Sequence, residues 1–346
     1  MEITSERRTV RDDTHLQEAR GPITAWLFRR LDGRPTMATL PPVDGDPLVD
    51  DDLHLALHVV LDAEYRPLSD AARRAVSGDP LVTALRTRLE EELLDAVVDD
   101  AELDGLRAHQ RRAQRVGPAA AVDVMLDRFD GPSLSAHMDE RGTRCQFQEF
   151  LAHRSAYQLK EADPHTMGLA RLAPGRRKAA YAEIQFDEYG NGEPGASHAE
   201  LFAEAMRTAG LDPTYGLQVP SLPGTTLATG NLLSVFARRP ELIGALVGHL
   251  ALFEMTSVVP MGRYARAAER LGFGPAVRRF FDVHVEADEH HGDLARRFLL
   301  GSGPADDDLD PADLVFGAHA LLRAEDRFAR HLLDSWTAGR SSFAAG

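Results

Sequence analysis

Three observations predict an all-α fold for this chain of 346 residues. Apolar residues recur at intervals of three and four through nearly every periodic segment. Strand signals are few, and no hairpin dipeptide sits between two alternating runs. No internal repeat is present, so the helices form a single set rather than a solenoid.

The elements follow in order. Segment 38–52 is acidic and Pro-rich, a predicted loop between an N-terminal arm and the helical body. Residues 52–64 (DLHLALHVVLDAE) repeat apolar positions at three and four, and residues 80–97 do so more clearly. Residues 118–129 and 145–161 are predicted helices, followed by a Pro and Gly break at 164–175. Residues 177–188 are read as helix, although Tyr181, Ile184 and Phe186 also suit a strand. Residues 196–209 make an amphipathic helix closed by Gly210, and Pro213, Pro220, Pro223 and Gly224 mark a loop. Further helices are predicted over 226–237, 240–257, 261–271 and 275–300. The last starts at Asp310-Pro311, an N-cap and first-turn pair, and runs to about Trp336. Two regions are expected, an arm with a helical extension over 1–140 and a main unit over 141–346, packed as one continuous helical body.

Composition narrows the function. The formal net charge of −15 argues against nucleic acid as the main partner, because phosphate binding needs a concentrated basic surface. The one basic run, Arg107 to Arg115, lies beside acidic residues 98–104 and reads as a solvated helix face. Cys145 is the single cysteine, so no disulfide forms within the chain and a reducing compartment is expected. Its surroundings carry no nucleophile signature. The N-terminal residues lack an apolar core, and no stretch approaches ~20 apolar residues. A cytoplasmic location without a membrane span is expected.

The most informative stretch is His284-Val-Glu-Ala-Asp-Glu-His-His291. At about 100° per residue, Asp288 lies about 40° round the helix from His284, and His291 about 20° the other way. Glu289 and His290 fall about 140° and 120° off that line. Two imidazoles and a carboxylate on one helix suit iron, manganese or zinc. The same residues would also make a solvated, ion-paired face. Flanking Phe280, Phe281, Val285, Leu294 and Phe298 favour a buried helix, which does not carry such groups inward without a partner.

Other residues carry weaker signals. Gly190, Gly192 and Gly195 spell a G-x-G-x-x-G, but the preceding segment holds Glu183, Gln185, Asp187 and Glu188 rather than a buried apolar strand. The glycines instead loosen a helix so that Glu188 and His198 can approach one centre; on a straight helix they would lie ~15 Å apart along the axis. Glu254 sits in an apolar run and needs compensation, either from a metal or from Arg263 or Arg266. Glu161, at the end of the 145–161 helix, is either a ligand or a plain surface residue. His249 is a ligand, a donor to a ligand, or a hydrogen-bonded core histidine. Asp51-x-x-His54 mimics a metal motif but is assigned to the acidic loop. Glu188, His198, Glu254, His284, Asp288 and His291 together suit two metals with bridging carboxylates. A ferritin-like bundle expects two Glu-x-x-His motifs, and only the variant Asp288-x-x-His291 is present.

At these residues the chain resembles the iron-containing redox enzymes, the haem-oxygenase-like diiron oxidases and oxygenases. The matching features are Lys160-Glu-Ala-Asp163, Gln185-Phe-Asp-Glu-Tyr-Gly-Asn-Gly192 with Ser197-His198, Gly248 to Ser257, and His284 to His291. The resemblance covers roughly 145–300 and extends weakly to 52–66. It implies a haem-oxygenase-like helical bundle in which three core helices bind two non-haem irons, with no role for haem. Glu188 and His198 would come from the first core helix, Glu254 from the second, and His284, Asp288 and His291 from the third. Glu161 stands where some N-oxygenases of the family use an additional carboxylate. The implied activity uses O₂ on a small, amino- or fatty-acid-like substrate, by amine N-oxygenation, desaturation or oxidative C–C cleavage, with an external electron donor where needed. A mononuclear or metal-independent enzyme and a non-enzymatic helical binding protein are the alternatives. The substrate pocket is expected along 226–237, 253–264 and 277–287, with Phe236, Met255 and Met261 lining it and Arg263 or Arg279 holding a carboxylate. A homodimer is the default assembly.

Overall fold

The computed structural model describes residues 18–65, 76–98, 100–301 and 309–344, and among these every regular element is a helix. Helix α1 spans Pro22–Leu31 and α2 spans Asp51–Asp62. Asp50 caps α2 by accepting from the Leu53 amide at 2.6 Å. Asp52 accepts from the first amides of α1, at Ile23 and Thr24, which ties the two helices together. α3 (Pro80–Ala96), α4 (Asp100–Val116), α5 (Pro118–Asp127) and α6 (Leu134–Glu140) complete the N-terminal part. The basic run at 107–115 lies in α4, as a helix face. The helices α1 and α6 were not legible in the sequence. Asp51 and His54 sit in the first turn of α2 rather than in the acidic loop. There Asp51 accepts from the Gly224 amide, and buried His54 contacts Asn231.

α7 runs over Arg144–Gln158, opened by a capping box between Thr143 and Gln146. It stops three residues short of Glu161. A new helix, α8, spans Ala162–Leu169 with Glu161 at its N-cap position. Pro164 does not break it, because an amide in the first turn has no partner within the helix. The expected break at 164–175 therefore shrinks to the turn after Leu169. α9 (Arg176–Glu188) is helical: Tyr181 and Ile184 are buried three residues apart, while Phe186 faces outward.

α10 spans His198–Thr208 and α11 spans Gly224–Arg238. α12 (Ile243–Thr256), entered through a 3₁₀ turn at Pro240–Leu242, meets α13 (Val258–Arg270) at a 52° bend. α14 (Pro275–Leu294) ends in a π-helical turn at Ala295–Leu299. α15 (Pro311–Thr337) is capped by Asp310, as predicted.

Three apolar clusters hold these helices. One joins α1, α2 and α3 to α11, with Ala320 and Ala324 of α15. A second packs α7, α10, α13 and α14 through Phe147, Phe202, Tyr264 and Phe281. The third packs α4, α5 and α9 against α12 and α15. α12 and α15 approach so closely that a Cβ at Gly248 would overlap the Leu314 carbonyl, and one at Gly317 that of Ala245. The buried pair Lys160–Asp62, at 2.7 Å, fastens α2 to the chain just before Glu161. No single helix among the described residues is long and apolar enough to cross a membrane.

Candidate metal centre

The glycine-rich stretch after α9 does what its sequence suggested. The chain turns through Gly190–Gly192, with φ +76° at Gly190 and +55° at Asn191. A Cβ at Gly190 would come within 2.5 Å of the Ser197 amide, so only glycine lets the chain double back here. Ser197 and Glu200 form a capping box that opens α10 at His198. The result sets His198 Nδ1 2.8 Å from Glu188 Oε2, at the two ends of the turn.

α14 presents His284, Asp288 and His291 to the interior, all 3 % exposed or less. Glu289 and His290 point outward, and His290 pairs with Glu183. Glu254 on α12 meets this face, with Oε2 3.3 Å from His291 Nδ1. It does not pair with Arg263 or Arg266: Arg263 donates to the Ser133 and Ser135 hydroxyls, and Arg266 to Asp139. Glu161, from the N-cap of α8, is buried with Oε1 3.6 Å from His284 Nε2.

Two clusters of possible ligand atoms result. Glu161, Glu188, His198 and His284 offer atoms within 4.8 Å of one another, as do Glu188, Glu254 and His291. Glu188 belongs to both. Asp288 falls outside both clusters but stands beside the second, with Oδ1 3.5 Å from His291 Nδ1. An enclosed space of ≈ 10 Å³, about the volume for one water-sized molecule, lies among Glu161, Glu188, Glu254, His284, Asp288 and Tyr157. His249 is a core histidine: its Nδ1 is 3.3 Å from His165 Nε2, and it joins neither cluster.

The donor set fits a metal. Glu161 Oε2, Glu188 Oε2, His198 Nδ1, His284 Nε2 and His291 Nδ1 are all buried and none makes a hydrogen bond. Their near neighbours are one another, as in the ion pair of Glu188 Oε2 with His198 Nδ1 at 2.8 Å, and five buried ligand atoms converging on one place suit a cation. The opposite ring atoms are held. His284 Nδ1 lies 2.7 Å from the Phe280 carbonyl, and His291 Nε2 lies 2.8 Å from Asp187 Oδ2. Each ring then donates outward and turns its remaining nitrogen to the centre, the arrangement common around metal-ligating histidines. Asp187 was missed from sequence; its place directly before Glu188 was the available signal.

Electrostatics show what the centre holds without a cation. Burial pushes the His284 imidazole down, but Glu161, Glu188 and Asp288 more than reverse this, to about 10. Burial likewise lowers His291, and Asp288, Glu254 and Asp187 raise it to about 11. Burial lifts Glu254 to about 8, with His291 pulling against it. Burial also raises Glu188, yet His198, His284 and His291 outweigh it and hold the carboxyl at about 2. The surrounding carboxylates therefore favour the protonated imidazoles of His284 and His291, and a metal must displace those protons.

A second cavity, ≈ 360 Å³, adjoins the centre; Phe253 lines both spaces. Met261 lines it as expected, whereas Phe236 and Met255 do not, and neither Arg263 nor Arg279 reaches its wall.

Among the described residues, then, a helical body encloses carboxylates and histidines that could hold metal. A family model described as iron-containing redox enzyme matches residues 148–326, more than half of the chain, and the chain belongs to that family. The match includes Glu161, Glu188, His198, Glu254, His284, Asp288 and His291. No curated protein matches the chain.

Proposed function

We propose that this protein is an O₂-dependent non-haem diiron oxidase or oxygenase acting on a small molecule. The observation that carries the reading is Glu188, whose carboxylate belongs to both ligand clusters and so stands where a bridge between two metals would stand. Glu161, Glu188, His198 and His284 would hold one iron, and Glu188, Glu254 and His291 the other, with Asp288 beside it. Two ferrous ions supply the electrons that reduce O₂ and the oxidising capacity turned on a substrate. The chain's own residues bind, orient and shield. Tyr157, Leu250 and Phe253 line the small space among the ligands and would limit the entry of bulk water. The Phe280 carbonyl and Asp187 fix the ring orientations of His284 and His291. An external electron donor is part of the proposal for any reaction in which the substrate does not supply all the electrons O₂ takes up. The four-residue cluster would suffice for one metal, so a mononuclear enzyme is the competing reading. Oxygen uptake by the ferrous-loaded protein tests the activity. Stoichiometric consumption, lost in His284→Ala, supports it; undiminished consumption in that variant overturns it.

A further inference from the structure

We infer that the ≈ 360 Å³ cavity is the substrate chamber and that it takes an uncharged, mainly apolar molecule carrying one hydrogen-bond donor, which Gln158 receives. This rests on the oxidase reading only for the word substrate; the ligand class follows from the wall. The volume is at the small end of the range for small-molecule sites, about 300–1,000 Å³. The chamber lies against the metal centre. Besides the shared Phe253, its wall includes Phe280, one turn from His284, and Phe202, one turn from His198. Phe150, Tyr264 and Phe281 add further ring surface, so most of a ligand would meet apolar atoms.

The polar groups in the wall decide the head group. Arg154 is the cation that lines the chamber, and it is committed: its guanidinium donates to both carboxylate oxygens of Glu325, at 2.7 and 2.6 Å. The wall's other carboxylate, Asp326, accepts from Arg330. A ligand carboxylate would meet Glu325 and Asp326 with no cation to spare, and a bare ammonium would face an anion already neutralised. Gln158 differs. Its side chain lines the chamber, the residue is 4 % exposed, and Oε1 is buried without a hydrogen bond. Oε1 is covered as it stands, and a rotation of the amide at the chamber wall would bring this unpaired acceptor to a ligand O–H or N–H. Gln158 also ends α7, three residues before Glu161, so a donor held there lies close to the centre.

Three probes of equal chain length separate the possibilities: octanol, octanoate and octyl methyl ether, which lacks the donor. Their binding to the full chain as purified is read by calorimetry under argon, so no turnover is needed. Octanol is expected to bind most tightly. Gln158→Leu should weaken octanol about three- to tenfold and leave the ether unchanged. Ala329→Phe, which puts a ring into the chamber, should abolish binding of all three, with thermal melting confirming that both variants fold. Octanoate binding more tightly than octanol, octanol binding unaltered by Gln158→Leu, or binding of any probe unaltered by Ala329→Phe overturns the inference. Iron content is measured on the same samples. Loss of the ligand preference with iron binding intact sinks only this inference, and absence of iron with the preference intact sinks only the oxidase reading.

Discussion

Asp187 shows how the centre depends on a residue that binds no metal itself. Its carboxylate holds His291 Nε2 at 2.8 Å, which leaves Nδ1 as the inward atom. Asp187→Ala frees the ring, and iron affinity should fall about 10- to 100-fold, measured by competition with a chelator. Asp187→Asn keeps an acceptor and should lose less. Equal affinity in all three proteins would mean that the contact does not orient the ligand. At this scale much was legible. Helical arithmetic separated His284, Asp288 and His291 from Glu289 and His290, because 3.6 residues per turn fixes which side chains share a face. What the arithmetic could not supply was contact between distant segments. The meeting of Glu254 with His291, and of Glu161 with His284, depends on how α12 and the α7–α8 junction pack against α14.

Among the elements, the pairing of α12 with α15 sets where Glu254 stands. Gly248 and Gly317 let the two backbones touch, each beneath a carbonyl of the other helix. Gly317→Ala should push the helices apart and cost about 1–3 kcal/mol, read from chemical denaturation. Because Ala favours an isolated helix over Gly by about 1 kcal/mol, a stabilised variant would show that the close approach is absent. The sequence displayed neither glycine as special, since a glycine within a helical pattern looks like a mere weakness until its neighbour is known. The ends of the elements were similarly hidden. Pro164 reads as a breaker, yet it occupies the first turn of α8, where its missing amide costs nothing. The turn at Gly190–Gly192 was legible because three glycines between two charged segments have few other uses.

For the whole molecule, the N-terminal helices are built into the same apolar cluster as α11 and carry the buried histidines His54 and His58. Burial pushes His54 and His58 down to about 4, and His153, which also feels His331, to about 3. These rings stay neutral in the folded protein while the unfolded chain takes up protons near pH 6.5. Folded pKa values below the unfolded ones mean that the contribution of these three rings to stability is fully present above about pH 6.5 and drains as the pH falls toward 4. The urea midpoint should drop through that window. In His153→Gln the slope should be shallower by up to one proton, about 1.4 kcal/mol per pH unit. An unchanged slope would show that His153 is protonated in the fold. The all-helical architecture was plain from periodicity, and one continuous helical body was expected; which helices the N-terminal ones pack against was not legible, because a pattern of apolar residues does not name its partner.

If two metals share Glu188, the number of irons bound per chain must depend on it. After anaerobic loading with ferrous iron and removal of the excess, the protein should hold two irons per chain. Glu254→Ala should hold one, and Glu188→Ala fewer than Glu254→Ala. One iron per chain in the unaltered protein, or two retained without Glu188, would contradict the account.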